Sequence, residues 1–348
     1  MVEKKRVMVG MSGGVDSSVA AALLLQQGYD VAGATFLLWG NGDDAVVDAR
    51  RVCDHIGISH HVMDYRTLFR ENVIDPFSQE YQNGRTPNPC ILCNRNIKFG
   101  AFLRDAIALG YEYISTGHYA RTEFGSDTGR MKLCRAHYHR KDQSYVLYML
   151  TQQQLSALIL PLSPLEKSEV RDIAANLKLP VAQKSESQDI CFIPDGDYAS
   201  FLEKHTGFVP CNGDFLDADG HVIGAHRGAW RYTIGQRKGL GIGFGKPVYV
   251  QSVDTEKNTV TLGENETLFR SELIASELNW IDFDRLETTC RFQARIRYLH
   301  TPSVATVTPT ENGAVHVLFD EPQRAITRGQ AVVFYDGEYV VGGGTING

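Results

Sequence analysis

Arg6-Val-Met-Val-Gly10-Met-Ser-Gly-Gly-Val-Asp-Ser-Ser18 is the stretch on which the fold turns. A short apolar run, Arg6 to Gly10, ends in a Gly-rich turn. A helical stretch from Ser17 to Gln27 follows and is closed by Gly28. Two adjacent glycines let backbone approach an oxyanion closely, and the helix start beyond them offers free N–H groups and a favourable dipole. Ser12, Ser17 and Ser18 add hydroxyl donors, and Asp16 is placed to hold Mg²⁺. The loop lacks the Gly-Lys-Ser/Thr ending that sets a lysine on a γ-phosphate. It therefore suits pyrophosphate bound as a unit, with cleavage between the α- and β-phosphates of ATP. The plain alternative is a Gly-rich βα turn with a serine cap.

Working outward, Tyr29 to Leu38 reads as a second strand, Ala45 to Ile56 as a helix ended by Gly57, and Ser59 to Tyr65 as a third strand. A helix from Ile97 to Leu109 precedes a fourth strand, Tyr113 to Thr116. Such alternation means βαβ units and a parallel sheet, with ligands at the carboxyl ends of the strands. The reading is a doubly wound α/β domain over 1–205. Beyond it the period changes to two in segments such as Pro247 to Asp254, Cys290 to Leu299 and Gln330 to Tyr335. That predicts a small β middle domain, 206–268, and a C-terminal β-barrel, 269–348. The 348 residues exceed one ordinary core.

The second constellation is Arg85-Thr-Pro-Asn-Pro-Cys90-Ile-Leu-Cys93-Asn-Arg95, with a third thiol, Cys191, in Ser185-Glu-Ser-Gln-Asp-Ile-Cys-Phe-Ile193. The latter reads as a loop leading into a short strand. Placed just before the helix at Ile97, with Arg95 and Lys98 nearby, Cys90 and Cys93 are expected to have lowered pKa values. Three uses compete for the thiols: half of a zinc site, a redox pair, or a [4Fe–4S] cluster held by Cys90, Cys93 and Cys191 with the fourth iron open for sulfide. The other four cysteines, of seven in all, read as small buried residues.

Net charge is −6, so any RNA must be held by local basic surface. On Cys290 to Leu299, period two places Arg291, Gln293, Arg295 and Arg297 on one face as a phosphate-binding ridge. Gln236-Arg-Lys-Gly239 is a further basic turn. No apolar run approaches the roughly 20 residues of a membrane span, and the cytoplasm is expected.

Taken with Gly84-Arg-Thr-Pro-Asn-Pro, Thr116-Gly-His-Tyr119, Lys141-Asp-Gln-Ser-Tyr145, Asp189-Ile-Cys-Phe-Ile193, Thr233-Ile-Gly-Gln-Arg-Lys-Gly-Leu-Gly241 and Gly342-Gly-Gly344, the chain resembles the tRNA-specific 2-thiouridylases. These are N-type ATP pyrophosphatases that thiolate C2 of the wobble uridine. The resemblance implies an ATP site of Gly10, Met11, Ser12, Gly13, Gly14, Val15, Asp16 and Ser17, with Phe36 and Gly117 flanking the adenine. It implies Cys93 as nucleophile and Cys191 as a persulfide loaded by a sulfur-carrier protein. Asn88, Pro89 and Cys90 would face the base. His118, Lys141, Asp142, Gln143, Arg297, Tyr298 and Gln330 would contact the anticodon arm. Many family members carry Asp at the position of Cys90, so this chain's third thiol raises the cluster scheme beside the persulfide one. A Cys93–Cys191 disulfide formed in air is expected off the cycle. Two other functions remain open on the residues alone. One is an adenylating amidotransferase, although no glutaminase context surrounds any cysteine. The other is a nucleotide-regulated RNA-binding redox module.

Overall fold

The computed structural model describes residues 4–40, 42–185, 190–193, 195–243 and 245–348. The chain opens with β1 (Arg6–Gly10), α1 (Val15–Gln26), β2 (Asp30–Leu37), α2 (Asp43–Ile56) and β3 (Ser59–Asp64). Helix α3 spans 66–82 and contains a π turn at Arg70–Ile74. Helix α4 spans 89–108, with a π-helical segment at Cys93–Ala101. There follow β4 (Tyr113–Ser115), a hairpin of β5 (Arg121–Gly125) and β6 (Arg130–Cys134), α5 (Gln152–Ser156), β7 (Leu158–Ile159), α6 (Lys167–Asn176) and α7 (Tyr198–His205).

Strands β3-β2-β1-β4-β7 form one parallel sheet. Val7, Met8 and Val9 of β1 are wholly buried, as a strand covered on both faces requires. The chain leaves β1 toward β2 on one side and finds β4 on the other, so the crevice between the ends of β1 and β4 is the switch point where ligands bind.

The rest of the chain is almost entirely β. Strands β8 (Gly213–Leu216), β9 (Val222–His226), β10 (Tyr249–Asp254) and β11 (Thr259–Gly263) form a sheet in the order β10-β11-β8-β9. Then β12 (Phe269–Trp280), β13 (Cys290–Arg295), β14 (Ser303–Pro309), β15 (Val315–Arg324), β16 (Ala331–Asp336) and β17 (Tyr339–Ile346) run in the order β12-β15-β14-β13-β16-β17. Pairing of β12 with β17 closes them into a barrel.

Two features join the bodies read as 1–205 and 269–348. Residues 121–134 do not belong to the parallel sheet: β6 pairs with β17 through Cys134–Tyr339 and Leu133–Val340, so the hairpin extends the barrel's sheet. The two bodies also share a core, in which Tyr145, Tyr148, Ile281, Ala331 and Tyr335 are all buried together. Tyr145 Oη donates to the Ala331 carbonyl at 2.8 Å, and Asn279 Nδ2 donates to the Tyr148 carbonyl at 2.6 Å. In addition, among the described residues there is no strand after Cys191, and Ile190–Ile193 closes as a turn through the Ile193 N–H. Glu186–Asp189 of that motif lie outside the described residues. Among the described residues, no helix is long and apolar enough to cross a membrane.

Candidate active site

The loop between β1 and α1 lies at the switch point. Gly13 has φ +68°, and a Cβ there would stand 2.8 Å from the Ala45 carbonyl, so only glycine fits the turn. Ser17 Oγ accepts from the Ser12 N–H at 3.2 Å, and Ser18 Oγ donates to the Gly14 carbonyl at 2.7 Å. The loop is thus braced by its own hydroxyls. Gly117, after β4, lies so close that a Cβ would meet Ser17 N at 2.7 Å.

Cations reach this loop from far along the chain. Lys167 Nζ lies 2.5 Å from Asp16 Oδ1, which also accepts from Tyr119 Oη at 2.7 Å. Lys184 Nζ donates to the Gly13 carbonyl at 3.0 Å and to Asp48 Oδ2 at 2.7 Å. The lysine that the loop's own sequence omits is therefore supplied twice, from 151 and 171 positions further along the chain. The ammonium of Lys167 also stands where a divalent cation would meet the Asp16 carboxylate, so the residues present fit Mg²⁺.

A cleft of about 750 Å³ joins this loop to the second constellation. Ser12, Gly14 and Asp16 line it together with Asn88, Cys90 and Lys98, and Gly117 and His118 also border it. Its polar and apolar linings are mixed, as binding and orienting a nucleotide beside a base requires.

Helix α4 begins at Pro89, with Asn88 as its N-cap accepting from the Cys90 N–H at 3.1 Å. Pro89 at the first helical position needs no N–H partner, which the expected start at Ile97 overlooked. Cys90 and Cys93 therefore sit in the opening turns of the helix. Cys93 is buried, and Cys90 and Cys191 are exposed. Desolvation is the largest influence on both thiols: it pushes Cys93 up to about 12 and, because the cleft wall crowds Cys90 although part of its surface meets solvent, also raises Cys90, while the Lys98 ammonium opposes the rise at both. The expected lowering does not occur in the free protein. Cys191 adds to the rise at both other thiols, and all three act on Lys98, so the three sulfurs and one cation form a single electrostatic group. The π-helical segment beginning at Cys93 contributes to this. At about 4.4 residues per turn, a geometry tied to its i→i+5 bonding, residues 93 and 98 fall near one face, whereas an α-helix would splay them apart.

The three thiols do not form a compact ligand nest for a single ion: among the described residues, the one such group is Asp217, Asp219 and His221, on the surface of the middle sheet. As donors for a [4Fe–4S] cluster, which spaces its cysteines more widely, Cys90, Cys93 and Cys191 are of the right type. All seven cysteines are free.

Residues 5–195 match the family model described as tRNA methyl transferase HUP domain, residues 199–264 its PRC-barrel domain, and residues 270–346 the aminomethyltransferase beta-barrel domain. The tRNA-specific 2-thiouridylase MnmA of Clostridioides difficile is 50% identical over 99% of this chain and 99% of its own length. The proteins of the same name from Acetivibrio thermocellus and Carboxydothermus hydrogenoformans are 48% and 50% identical, each over 99% of this chain and over 100% and 98% of their own lengths. The chain belongs to the tRNA-specific 2-thiouridylase family.

The family's expected RNA contacts divide sharply on this structure. His118, Lys141, Gln143 and Tyr298 line the cleft. His118 is buried and neutral, its pKa driven well below the ordinary value by burial first and by Lys98 second, and its Nδ1 pairs with Thr116 Oγ1 at 2.7 Å. Gln143 Oε1 accepts from the Tyr119 N–H at 3.0 Å, which holds Tyr119 toward Asp16. Asp142 is different. Its carboxylate is wholly buried, accepts from Ala136 N, Ser144 N and Ser144 Oγ, and faces Arg295 at 3.4 Å. It anchors the fold and has no surface to offer RNA.

The arginine ridge is also corrected. Strand β13 stops at Arg295, so Arg297 is not in register with it. Arg291 pairs with Asp320 at 2.5 Å. Arg295 is buried between Tyr145 and Tyr298, bonded to the Tyr298 carbonyl. Arg297 donates to the Arg324 carbonyl at 3.2 Å. Gln330 is likewise committed: its Nε2 donates to the Thr86 carbonyl at 2.7 Å, beside the Thr86 N–H bond to the Arg328 carbonyl. The barrel thereby clasps the Arg85–Asn88 approach to the thiols. Phe36 packs on Phe102 and Tyr65, with ring centroids 4.7 and 5.5 Å away, behind Gly10.

Proposed function

We propose that this chain replaces the C2 oxygen of the tRNA wobble uridine with sulfur at the expense of ATP. The observation that carries the reading is the single cleft running from the Ser12–Asp16 loop to Cys90 and Lys98. The family model bears a methyl-transfer name, but a triphosphate loop sharing a cleft with Cys90, which couples electrostatically to Cys93 and Cys191, is what adenylation and sulfur transfer need.

ATP lies with its triphosphate on Gly10–Ser17 and its adenine between the Phe36 backbone and Gly117. Asp16 would hold Mg²⁺, whose charge would offset that of the phosphates, and Lys167 and Lys184 turn from Asp16, Asp48 and the Gly13 carbonyl to the β- and γ-phosphates. The uridine C2 oxygen attacks the α-phosphorus; the bond to the bridging oxygen breaks and pyrophosphate leaves. Asn88, Pro89 and Cys90 face the base, and His118, Lys141, Gln143 and Tyr298 border it. A sulfur-carrier protein loads Cys191 as a persulfide. Its outer sulfur bonds to C2, and the C2–O bond breaks with AMP leaving. The Cys93 thiolate, favoured by Lys98, then attacks the inner sulfur of Cys191. The thiocarbonyl is released and a Cys93–Cys191 disulfide forms, which an external dithiol reduces. On this balance of electrons the disulfide is a cycle species, unlike the by-product expected from the sequence. Cys90 favours a second reading: with Cys93 and Cys191 it would hold a [4Fe–4S] cluster that supplies an iron for binding sulfide. The working units are 1–205, 206–268 and 269–348, acting in the cytoplasm, where tRNA resides.

The test supplies ATP, a persulfide donor, a dithiol and tRNA bearing uridine or cytidine at the wobble position, and measures pyrophosphate and 2-thiouridine. Release of both only with uridine is expected. Pyrophosphate release indifferent to tRNA, with no thiouridine, overturns the reading. Full activity of an iron-free preparation removes the cluster.

A further inference from the structure

Residues 297–300 form a tight turn, closed by the His300 N–H on the Arg297 carbonyl at 3.0 Å. Its two central residues, Tyr298 and Leu299, both line the cleft. The turn is rigidly seated. Ile296 before it is buried, Arg295 bonds the Tyr298 carbonyl, and Arg295 is itself fixed by buried Asp142. Yet Leu299 is 86% exposed, the highest value among the large apolar side chains described as exposed. Its companions at this cleft include Lys141, Lys184 and Ser185. A single exposed leucine is ordinary on a protein surface, but one fixed on a braced turn at the wall of a cleft is placed to meet whatever the cleft binds.

We propose that Leu299 is an apolar wedge that abuts the base next to the target uridine and holds the two bases apart. The proposal rests on the tRNA-thiolating reading of the cleft. A uridine whose C2 must reach the cysteine group that Cys90 presents to the cleft cannot stay stacked on its neighbour, and unstacking has a cost that enzymes commonly offset with an inserted apolar side chain. Leu299 stands beside the tyrosine that borders the base, has no polar group to satisfy, and is held by backbone and ion-pair contacts that resist displacement. Charged neighbours attract the phosphates on either side without competing for the apolar contact.

The test uses tRNA with 2-aminopurine beside the wobble uridine, whose emission rises on unstacking, and unlabelled tRNA for thiolation. Wild type should brighten the probe on binding. Leu299→Ala and Leu299→Ser should abolish the rise and lower kcat/KM about tenfold, an order of magnitude set by base-unstacking costs, while Leu299→Phe retains both. A tRNA with an abasic site beside the uridine has no stack to break, so wild type and Leu299→Ala should thiolate it equally. Unchanged emission and rate in Leu299→Ala, or an equal loss on the abasic tRNA, overturns the wedge. Absence of thiolation by wild type on unlabelled tRNA is a different failure, that of the cleft's assigned reaction, and leaves the emission comparison to judge Leu299.

Discussion

Replacing Asp142 by alanine discriminates sharply between an RNA contact and a structural anchor. The carboxylate is wholly buried and accepts from Ala136 N at 3.0 Å, Ser144 N at 3.2 Å and Ser144 Oγ at 2.8 Å, while facing Arg295 at 3.4 Å. Alanine leaves these donors without that acceptor and Arg295 without its nearest counter-charge. Breaking a buried pair by deleting one partner costs about 3–5 kcal/mol. The orphaned donors belong to the same loss and are not added separately. We expect about 4 kcal/mol, a large part of an ordinary domain's stability. At a urea slope of about 2 kcal/mol per molar, the midpoint of the first transition falls by roughly 2 M. Asp142→Asn, which keeps an acceptor but not the charge, should fall by about half as much. The double variant Asp142→Asn with Arg295→Met should be milder than the sum of its parts, because Arg295 no longer leaves a buried charge unpaired and only Arg135, 3.9 Å from the same carboxylate, still loses its counter-charge. If Asp142→Ala shifts stability by less than about 1 kcal/mol while weakening tRNA binding, the anchoring argument is refuted and the residue is an RNA contact after all.

Lys167→Met and Lys184→Met should each raise the KM for ATP about ten- to a hundredfold and leave tRNA affinity within about twofold, since a charge-assisted phosphate contact contributes about 1.5–3 kcal/mol; equal loss of tRNA binding in a filter assay would contradict their placement. Iodoacetamide in mildly alkaline buffer should label exposed Cys191 and Cys211 well before Cys93, whose pKa burial pushes up to about 12, as read by peptide mass spectrometry; early labelling of Cys93 contradicts its burial. His118 is depressed well below about 6.5, its unfolded value. Below that pH the unfolded chain takes up a proton that the folded chain refuses, so stability falls as pH drops from about 6.5 toward the folded pKa. His118→Gln should flatten that part of the urea-midpoint profile, and an unaltered slope counts against a neutral buried imidazole.

Four of the five parallel strands were legible: β1 and β2 as apolar runs covered on both faces, β3 and β4 by the helices and glycines around them, while β7, only Leu158–Ile159, is too short to read. The site loop was legible because a strand, two glycines, serines and a helix lay in consecutive positions. The start of α4 was misplaced because Pro87 and Pro89 together suggested an extended approach, whereas Pro89 opens the helix. The arginine ridge failed because periodicity carries no information about where a strand stops, and β13 stops at Arg295. Lys167 and Lys184 were invisible as site residues for another reason. Each is a single lysine with no pattern around it, and only the folded chain brings it to Gly13 and Asp16. Asp142 shows the converse: a motif can mark a residue as important while its burial assigns it to architecture.

The pairing of β6 with β17 joins Cys134 to Tyr339 and Leu133 to Val340. On a ribosome adding about 5–20 residues per second, the edge of β6 must wait for roughly 200 more residues, some 10–40 seconds, before its partner emerges. Until then Leu133 and Tyr145, buried in the finished protein, lack the strands that cover them. A chain cut short before Tyr339 would thus lose more than a barrel strand: the catalytic half would be left with an open seam, a natural target for chaperones and proteases.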